Sequence, residues 1–469
     1  MRSGILRAVA ISDRKGREIE GLYHPFHTRQ ITTTDSINTG AWFGKIIEST
    51  RVTKYKLFDR MAPDRVTASN QTSTGVSVHR AAPQRHRAER ATRKVFYLVD
   101  SLNIGGTETQ AVELARRIPL AGYDVTLGCL RVQGPLLGRL QGAAVVVREF
   151  HPTGGVDTAA GLYQLLRLSW FLRRQKFDIV HTHDLWSNLL GIPAAWLAGV
   201  PAIVSSRRDL AHFEWYRGKR RVWLRRIQNL SGAVLANATP IRDALIAEDG
   251  FAPEKLRVIH NGVEIEKFQR NGSAREHLFP RASDGKLIVL VGNMQTDVKG
   301  HPWLIESAPA VVREFPSTRF VLAGDGKQRA KFERQVAELG LQQNFLFLGP
   351  RADIPEILAC CDIAVLPSRA EGLPNAALEY MAAGLPTVLS RVGGNAELVE
   401  NGVTGLLVPA ENSPALSAAL LKLLHDPGLA RQIAQNGHQF IVRNFSFERL
   451  VREVDDLYTE LLQRSGRSR

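Results

Sequence analysis

Cysteine is scarce: the 469 residues hold three, Cys129, Cys360 and Cys361. The adjacent pair lies in an apolar run, so neither a disulfide framework nor a cysteine zinc site is expected, and a reducing cytosol fits. Long apolar runs are also missing. No stretch approaches the roughly 18 to 20 uninterrupted apolar residues that span a bilayer, and the opening MRSGILRAVAISDRKGRE meets charges too soon to read as a secretory signal. The expected location is therefore cytoplasmic. Acidic residues fall short as well, at 46 Asp and Glu against 61 Lys and Arg, a net charge of +15. An excess clustered on the folded body would suggest nucleic acid. Here residues 1–94 carry 18 basic and 8 acidic residues and account for most of it. No nucleic-acid partner is expected.

Those first residues show no sustained periodicity, and 1–92 read as a basic, disordered extension. From Val95 the character changes. VFYLVDSL has the apolar density of a buried strand, IGGT is a turn, and ETQAVELARRIPLAG has helical spacing ending at glycine. The pattern recurs through YDVTLGCL, AAVVVREF, FDIVHTH, PAIVSS and AVLAN, then through KLIVLVGN, TRFVLAGDG, NFLFLGP, CDIAVLPS, LPTVLS and GLLVPA. Strands alternating with helices predict an α/β chain with two parallel, doubly wound sheets in tandem. We place the domains at 93–275 and 276–445, with 446–469 a final helix packing back on the first. Ligands of such sheets sit beyond the carboxyl ends of the strands, which directs attention to a cleft between the domains.

The densest group of chemically able residues is SRAEGLPNAALEYMAAGLPTVLSRVGGNAELV, residues 368–399. Pro374 suits a first helical position, and the helix start near Gly372 and Leu373 would offer free N–H groups and a positive dipole end to an anion such as a diphosphate. If the eight residue steps from Glu371 to Glu379 were all helical, the two carboxylates would stand about 12 Å apart. They would then hold opposite ends of an extended ligand rather than share a proton or a metal. Elsewhere, Gly105 and Gly106 would let backbone approach a ligand closely. In HTHD, strand alternation puts His181 and His183 on one side. Either could hydrogen-bond a ligand or take a proton, and His183, nearer the strand end, is favoured for the reaction. The HxH spacing also suits a metal, but no nearby Cys or HExxH-like partner supports one. Arg207 and Arg208, at the end of another strand, are candidates for binding a phosphate. In YRGKRRVWLRRIQNL, residues 216–230, helical spacing aligns Trp223, Ile227 and Leu230 beside basic residues, as in helices that lie on anionic membrane.

EGLPNAALE followed by MAAGLPTV and GGNAELV resembles the donor-binding signature of the GT-B glycosyltransferases of family 4. IGGTETQAVELA, IVHTHD, VIHNGVEIEKF, VGNMQTDVKGH and VLAGDGKQRAKFE match further family segments in order, over roughly residues 94–460. The resemblance implies two Rossmann-like domains closing on a nucleotide-diphosphate sugar, and metal-independent transfer of a hexose with retention and without a cofactor. Carried onto this sequence, Glu371 would hold sugar hydroxyls, Glu379 the ribose, and Lys299 the leaving diphosphate. The family commonly has an arginine where this chain has Asn293, so the phosphate clamp departs from the usual form. The expected acceptor is a saccharide or lipid-linked saccharide, contacted by His181, Arg207 and Arg208, in cell-surface polysaccharide or glycolipid synthesis. A sugar-nucleotide epimerase or a non-catalytic sugar-nucleotide-binding protein are the alternatives.

Overall fold

The computed structural model describes residues 92–150, 158–208, 218–268, 275–279 and 285–466. The extension expected over 1–92 lies outside them but for its last residue. All described residues fall within one compact unit, built on two sheets.

The first half runs β1 (Arg93–Ser101), α1 (Gly106–Arg117), β2 (Tyr123–Arg131), β3 (Val145–Glu149), α2 (Ala159–Gln175), β4 (Ile179–Thr182), α3 (Leu185–Ala198), β5 (Ala202–Arg207), α4 (Gly218–Gln228), β6 (Ala233–Ala236), α5 (Thr239–Ala247) and β7 (Leu256–Val258). The second half follows with α6 (Arg275–Leu278), β8 (Leu287–Val291), α7 (His301–Glu314), β9 (Arg319–Ala323), α8 (Arg329–Glu338), β10 (Phe345–Gly349), α9 (Ile354–Cys360), β11 (Ile363–Leu366), α10 (Asn375–Ala382), β12 (Thr387–Ser390), α11 (Asn395–Leu398), β13 (Leu406–Val408), α12 (Ser413–His425), α13 (Pro427–Asn444) and α14 (Phe447–Arg464).

Strand order is β3-β2-β1-β4-β5-β6-β7 in one sheet and β10-β9-β8-β11-β12-β13 in the other. Every recorded pairing between these strands is parallel. Alternation within the apolar runs explains why both faces are covered. Val95, Tyr97 and Val99 of β1 join one core while Phe96 and Leu98 join the other. In β8, Leu287 and Val289 likewise part from Ile288 and Leu290.

Two features position the site. The order of strands reverses between β1 and β4 in the first sheet and between β8 and β11 in the second. Ligand crevices form at such switch points, because flanking loops diverge to opposite faces. The second feature is α14. Phe447, Leu450, Val454, Leu457, Tyr458, Leu461 and Leu462 form one apolar stripe, buried in the core of the first sheet rather than that of the second. Ser446 caps this helix by accepting the Arg449 N–H, and Arg257 Nη2 donates to Glu460 at 2.8 Å. The two halves also share a core, in which Ala236, Ile241 and Leu245 pack with Leu373, Leu378 and Phe445.

Candidate active site

The four segments singled out for chemistry follow the four strands that flank the two switch points. Gly105 and Gly106 come after β1, His183 after β4, Lys299 after β8, and Glu371 after β11.

Glu371 is buried, 8% exposed. Lys299 Nζ lies 2.8 and 3.0 Å from its two oxygens, and Ser368 Oγ donates to Oε1 at 2.7 Å. A second layer of chain supports this loop. Gly394 N donates to the Gly372 carbonyl at 2.7 Å, and a Cβ on Gly393, whose φ is +47°, would collide with the Glu371 carbonyl oxygen. Gly372 itself faces the other half, where a side chain would strike the Arg208 carbonyl. Only glycine allows these three backbones to meet.

The helix geometry differs from expectation. Pro374 is the extended residue before α10, with φ −73° and ψ 123°, and the helix begins at Asn375. Glu371 therefore sits on a loop, and the helical rise applies only to the last turn leading to Glu379. Asn375 and Glu379 share a face, being four residues apart. Asn375 Oδ1 accepts from Asn261 Nδ2 at 2.9 Å and Gln110 Nε2 at 3.2 Å, while its Nδ2 donates to the Gly106 carbonyl at 3.2 Å. The glycine loop of the first half thus lies directly against the helix start of the second. Asn261, Gln110 and Asn375 were not singled out in the sequence. Asn261 lies in the recognised segment VIHNGVEIEKF, which was the available signal.

Glu379 is half-buried, and its carboxylate makes no hydrogen bond or ion pair among the described residues. Burial lifts its carboxyl to about 7, opposed by the charge of Arg139. Its folded pKa is raised, so its contribution to stability is present at low pH and is lost as pH rises from about 4.5 through about 7. A ligand hydroxyl seeks the ionised form, because charged acceptors bond most strongly. If Glu379 holds the ribose, as the resemblance implies, nucleotide affinity should tighten as pH rises through about 7. Glu379→Gln should remove that component while leaving the titration of the phosphate itself. Nucleoside diphosphate dissociation constants from about pH 5.5 to 8.5 test this, and identical profiles for the two proteins would exclude Glu379.

His181 and His183 stack at 4.1 Å between ring centroids, as strand alternation requires, yet their surroundings differ. His181 is fully buried, with Nδ1 2.7 Å from Tyr458 Oη and Nε2 2.8 Å from Ser206 Oγ. Both nitrogens are spent on α14 and β5, which corrects the expectation of an acceptor contact and argues against an HxH metal pair. His183 lies against Tyr97 at 5.2 Å, and neither ring nitrogen has a partner among the described residues. Leaving such a buried group unpaired costs on the order of 1 to 3 kcal/mol, so the ring is suited to a ligand hydrogen bond. Burial first, then His181 and Arg208, push its pKa well down, so it is a neutral imidazole and a weak base.

Arg207 is buried, with Nη1 donating to Gln228 at 3.1 Å and lying 3.5 Å from Asp249. It is directed into its own domain, and an acceptor role is withdrawn. Arg208 lies at the seam and donates to Asn261 Oδ1 at 2.7 Å. Asn293 is exposed, its Oδ1 accepting the Gln295 N–H at 3.3 Å, and it brings no charge to the loop after β8. In α4, Leu224 and Ile227 are core residues and Leu230 packs against that core. Arg221 pairs with Asp249 and Glu248. The apolar stripe expected to meet lipid is largely used inside the domain.

Comparison with known proteins agrees with this geometry. The sequence model "Glycosyltransferase Family 4" matches residues 104–267, and "Glycosyl transferases group 1" matches residues 285–426. UDP-Gal:alpha-D-GlcNAc-diphosphoundecaprenol alpha-1,3-galactosyltransferase of Escherichia coli is 29% identical over 373 residues, covering 76% of this chain and 95% of that protein. D-inositol 3-phosphate glycosyltransferase of Thermobispora bispora is 27% identical, covering 78% and 92%. In structure, Anabaena Alr3699/HepE, solved with UDP-glucose, superposes with a TM-score of 0.68 at 22% identity, over 78% of this chain and 99% of that one. With a family model on each sheet and the same two-sheet architecture, the chain belongs to the family 4 glycosyltransferases and has the GT-B fold.

Proposed function

We propose that the chain moves a hexose from a nucleotide-diphosphate sugar to a lipid-linked or saccharide acceptor in polysaccharide or glycolipid synthesis, with retention and without a metal or cofactor. The observation that carries this reading is the Lys299–Glu371 pair at the second switch point, one turn of helix and a loop away from Glu379, whose carboxylate has no partner among the described residues. In the donor complex Glu371 accepts hydrogen bonds from sugar hydroxyls and Glu379 from the ribose. Lys299 moves from Glu371 to the diphosphate. Charge grows on that phosphate as the glycosidic bond breaks, so a fixed cation stabilises the transition state more than the ground state.

The acceptor hydroxyl enters on the face from which the diphosphate departs, and the departing phosphate oxygen takes its proton. His183, too weak a base for that role, hydrogen-bonds a sugar hydroxyl. An epimerase would need an acid and a base at C2 of the donor sugar. Glu371 is held by Lys299 and Ser368, and the lowered pKa of His183 supplies no such base. The relatives named above support the donor and acceptor classes.

Thermal stabilisation by a panel of nucleotide sugars identifies the donor, since a ligand at 100 times its dissociation constant adds about 2.7 kcal/mol. NMR of the product then reads the anomeric configuration, with and without a chelator. An inverted product, or loss of turnover with chelator, would overturn the respective part of the proposal.

No helix among the described residues is long and apolar enough to cross a membrane. We place the enzyme on the cytoplasmic side, with any membrane contact made through charge on α4. Reversing Arg220, Arg225 and Arg226 should abolish co-sedimentation with anionic vesicles at low salt, because each basic residue near such a surface contributes about 1 kcal/mol. Unchanged sedimentation would remove α4 from membrane binding.

A further inference from the structure

One carboxylate bridges the two halves beside the donor loop. Glu397, in α11, follows the Gly393–Gly394 layer under Glu371. Its Oε1 accepts the Thr239 N–H at 2.6 Å, and its Oε2 lies 2.5 Å from His260 Nε2. Thr239 opens α5 in the other half, and Ala238, at the N-cap, has no side-chain cap. A carboxylate from the second half therefore does the capping, where the helix dipole favours negative charge. His260 Nδ1 is buried without a partner among the described residues. The contact to Glu397 is thus made by Nε2, with its N–H donating to the carboxylate.

The next residue completes a fork. Asn261 Nδ2 donates to the Leu373 carbonyl and to Asn375 Oδ1, both at 2.9 Å. His260 thus holds the 393–397 layer while Asn261 holds the 371–375 layer. The two layers are joined by Gly394 N to the Gly372 carbonyl at 2.7 Å.

We propose that His260 and Glu397 form an interdomain clasp that positions the donor loop, fixing where Glu371 presents the sugar to the first domain. The inference rests on the donor-site reading above, and it makes both groups positioning residues. Neither Lys299 nor Glu379 is touched by the clasp, so nucleotide affinity and sugar placement should separate.

His260→Ala and Glu397→Ala should each lower kcat about tenfold to a hundredfold, as expected of a misplacement near 1 Å. UDP affinity should stay within about twofold. The double variant should fall no further than Glu397→Ala, because that single already removes the His260 contact together with the Thr239 cap. Glu397→Gln, which keeps an oxygen to accept from Thr239 and can donate its amide to His260 once the ring carries its proton on Nδ1, should recover part of the loss. Hydrogen exchange supplies a readout independent of donor identity. Peptides spanning 238–245 and 371–380 should exchange faster in the alanine variants, with other segments unchanged. Wild-type exchange in those peptides, or wild-type kcat, overturns the clasp. Normal UDP binding by Lys299→Ala would instead overturn the donor site.

Discussion

Glu371→Ala should lower transfer by about three orders of magnitude, the scale of losing a preorganised group that acts on the reacting sugar, while the protein stays folded. The variant removes the acceptor for sugar hydroxyls and strands Lys299 in the ligand-free enzyme. That side chain is 23% exposed, so its ammonium can turn to water, and the cost to stability should be modest. Ser368 loses a partner as well, but its hydroxyl can rotate toward solvent or a neighbouring carbonyl. Steady-state kinetics beside a thermal melt by circular dichroism separates the two effects. Turnover at the wild-type rate would remove Glu371 from the site. A collapse of the melting temperature would show that the pair holds the fold rather than the donor.

Lys299→Ala should act on the other partner of the pair and with a different signature. Hydrogen bonds to charged groups contribute about 1.5 to 3 kcal/mol each, so UDP affinity should weaken roughly tenfold to a hundredfold. The variant also leaves Glu371, at 8% exposed, as an uncompensated carboxylate facing an incoming diphosphate. Repulsion adds to the lost contact. UMP, with one phosphate fewer, should lose much less affinity than UDP, and this comparison in calorimetry isolates the phosphate role. An unchanged UDP dissociation constant would mean that Lys299 serves only to neutralise Glu371. Because Asn293 supplies no charge, Lys299 should matter more here than in a site with two cations.

The fold was legible because buried parallel strands write themselves as short apolar runs with both parities occupied, as in Val95–Val99 and Leu287–Leu290. The order of the motifs was equally readable. What the sequence withheld was the identity of distant partners. His181 and His183 share spacing and face, and only the arrival of Tyr458 from α14 and Ser206 from β5 separates a satisfied ring from an open one. Arg207 and Arg208 are neighbours in sequence, yet Gln228 and Asp249 claim one while the seam claims the other. Trp223, Ile227 and Leu230 have the spacing of a membrane stripe and equally that of a core stripe. The helix start was misplaced by one residue because Pro374 is as well suited to the extended position before a helix as to its first turn.

The docking of α14 on the first sheet has a consequence for synthesis on the ribosome. The first half has all seven of its strands once Val258 has emerged, but the apolar patch that Leu450, Val454, Leu457 and Leu461 cover must wait for the last helix. About 190 residues separate the two events, or about 10 to 40 s at typical elongation rates. During that interval Tyr97 and His181 lack the Tyr458 hydroxyl that completes their buried network. The nascent domain therefore offers chaperones a defined, temporary apolar face, and a ribosome stalled before residue 447 leaves it open.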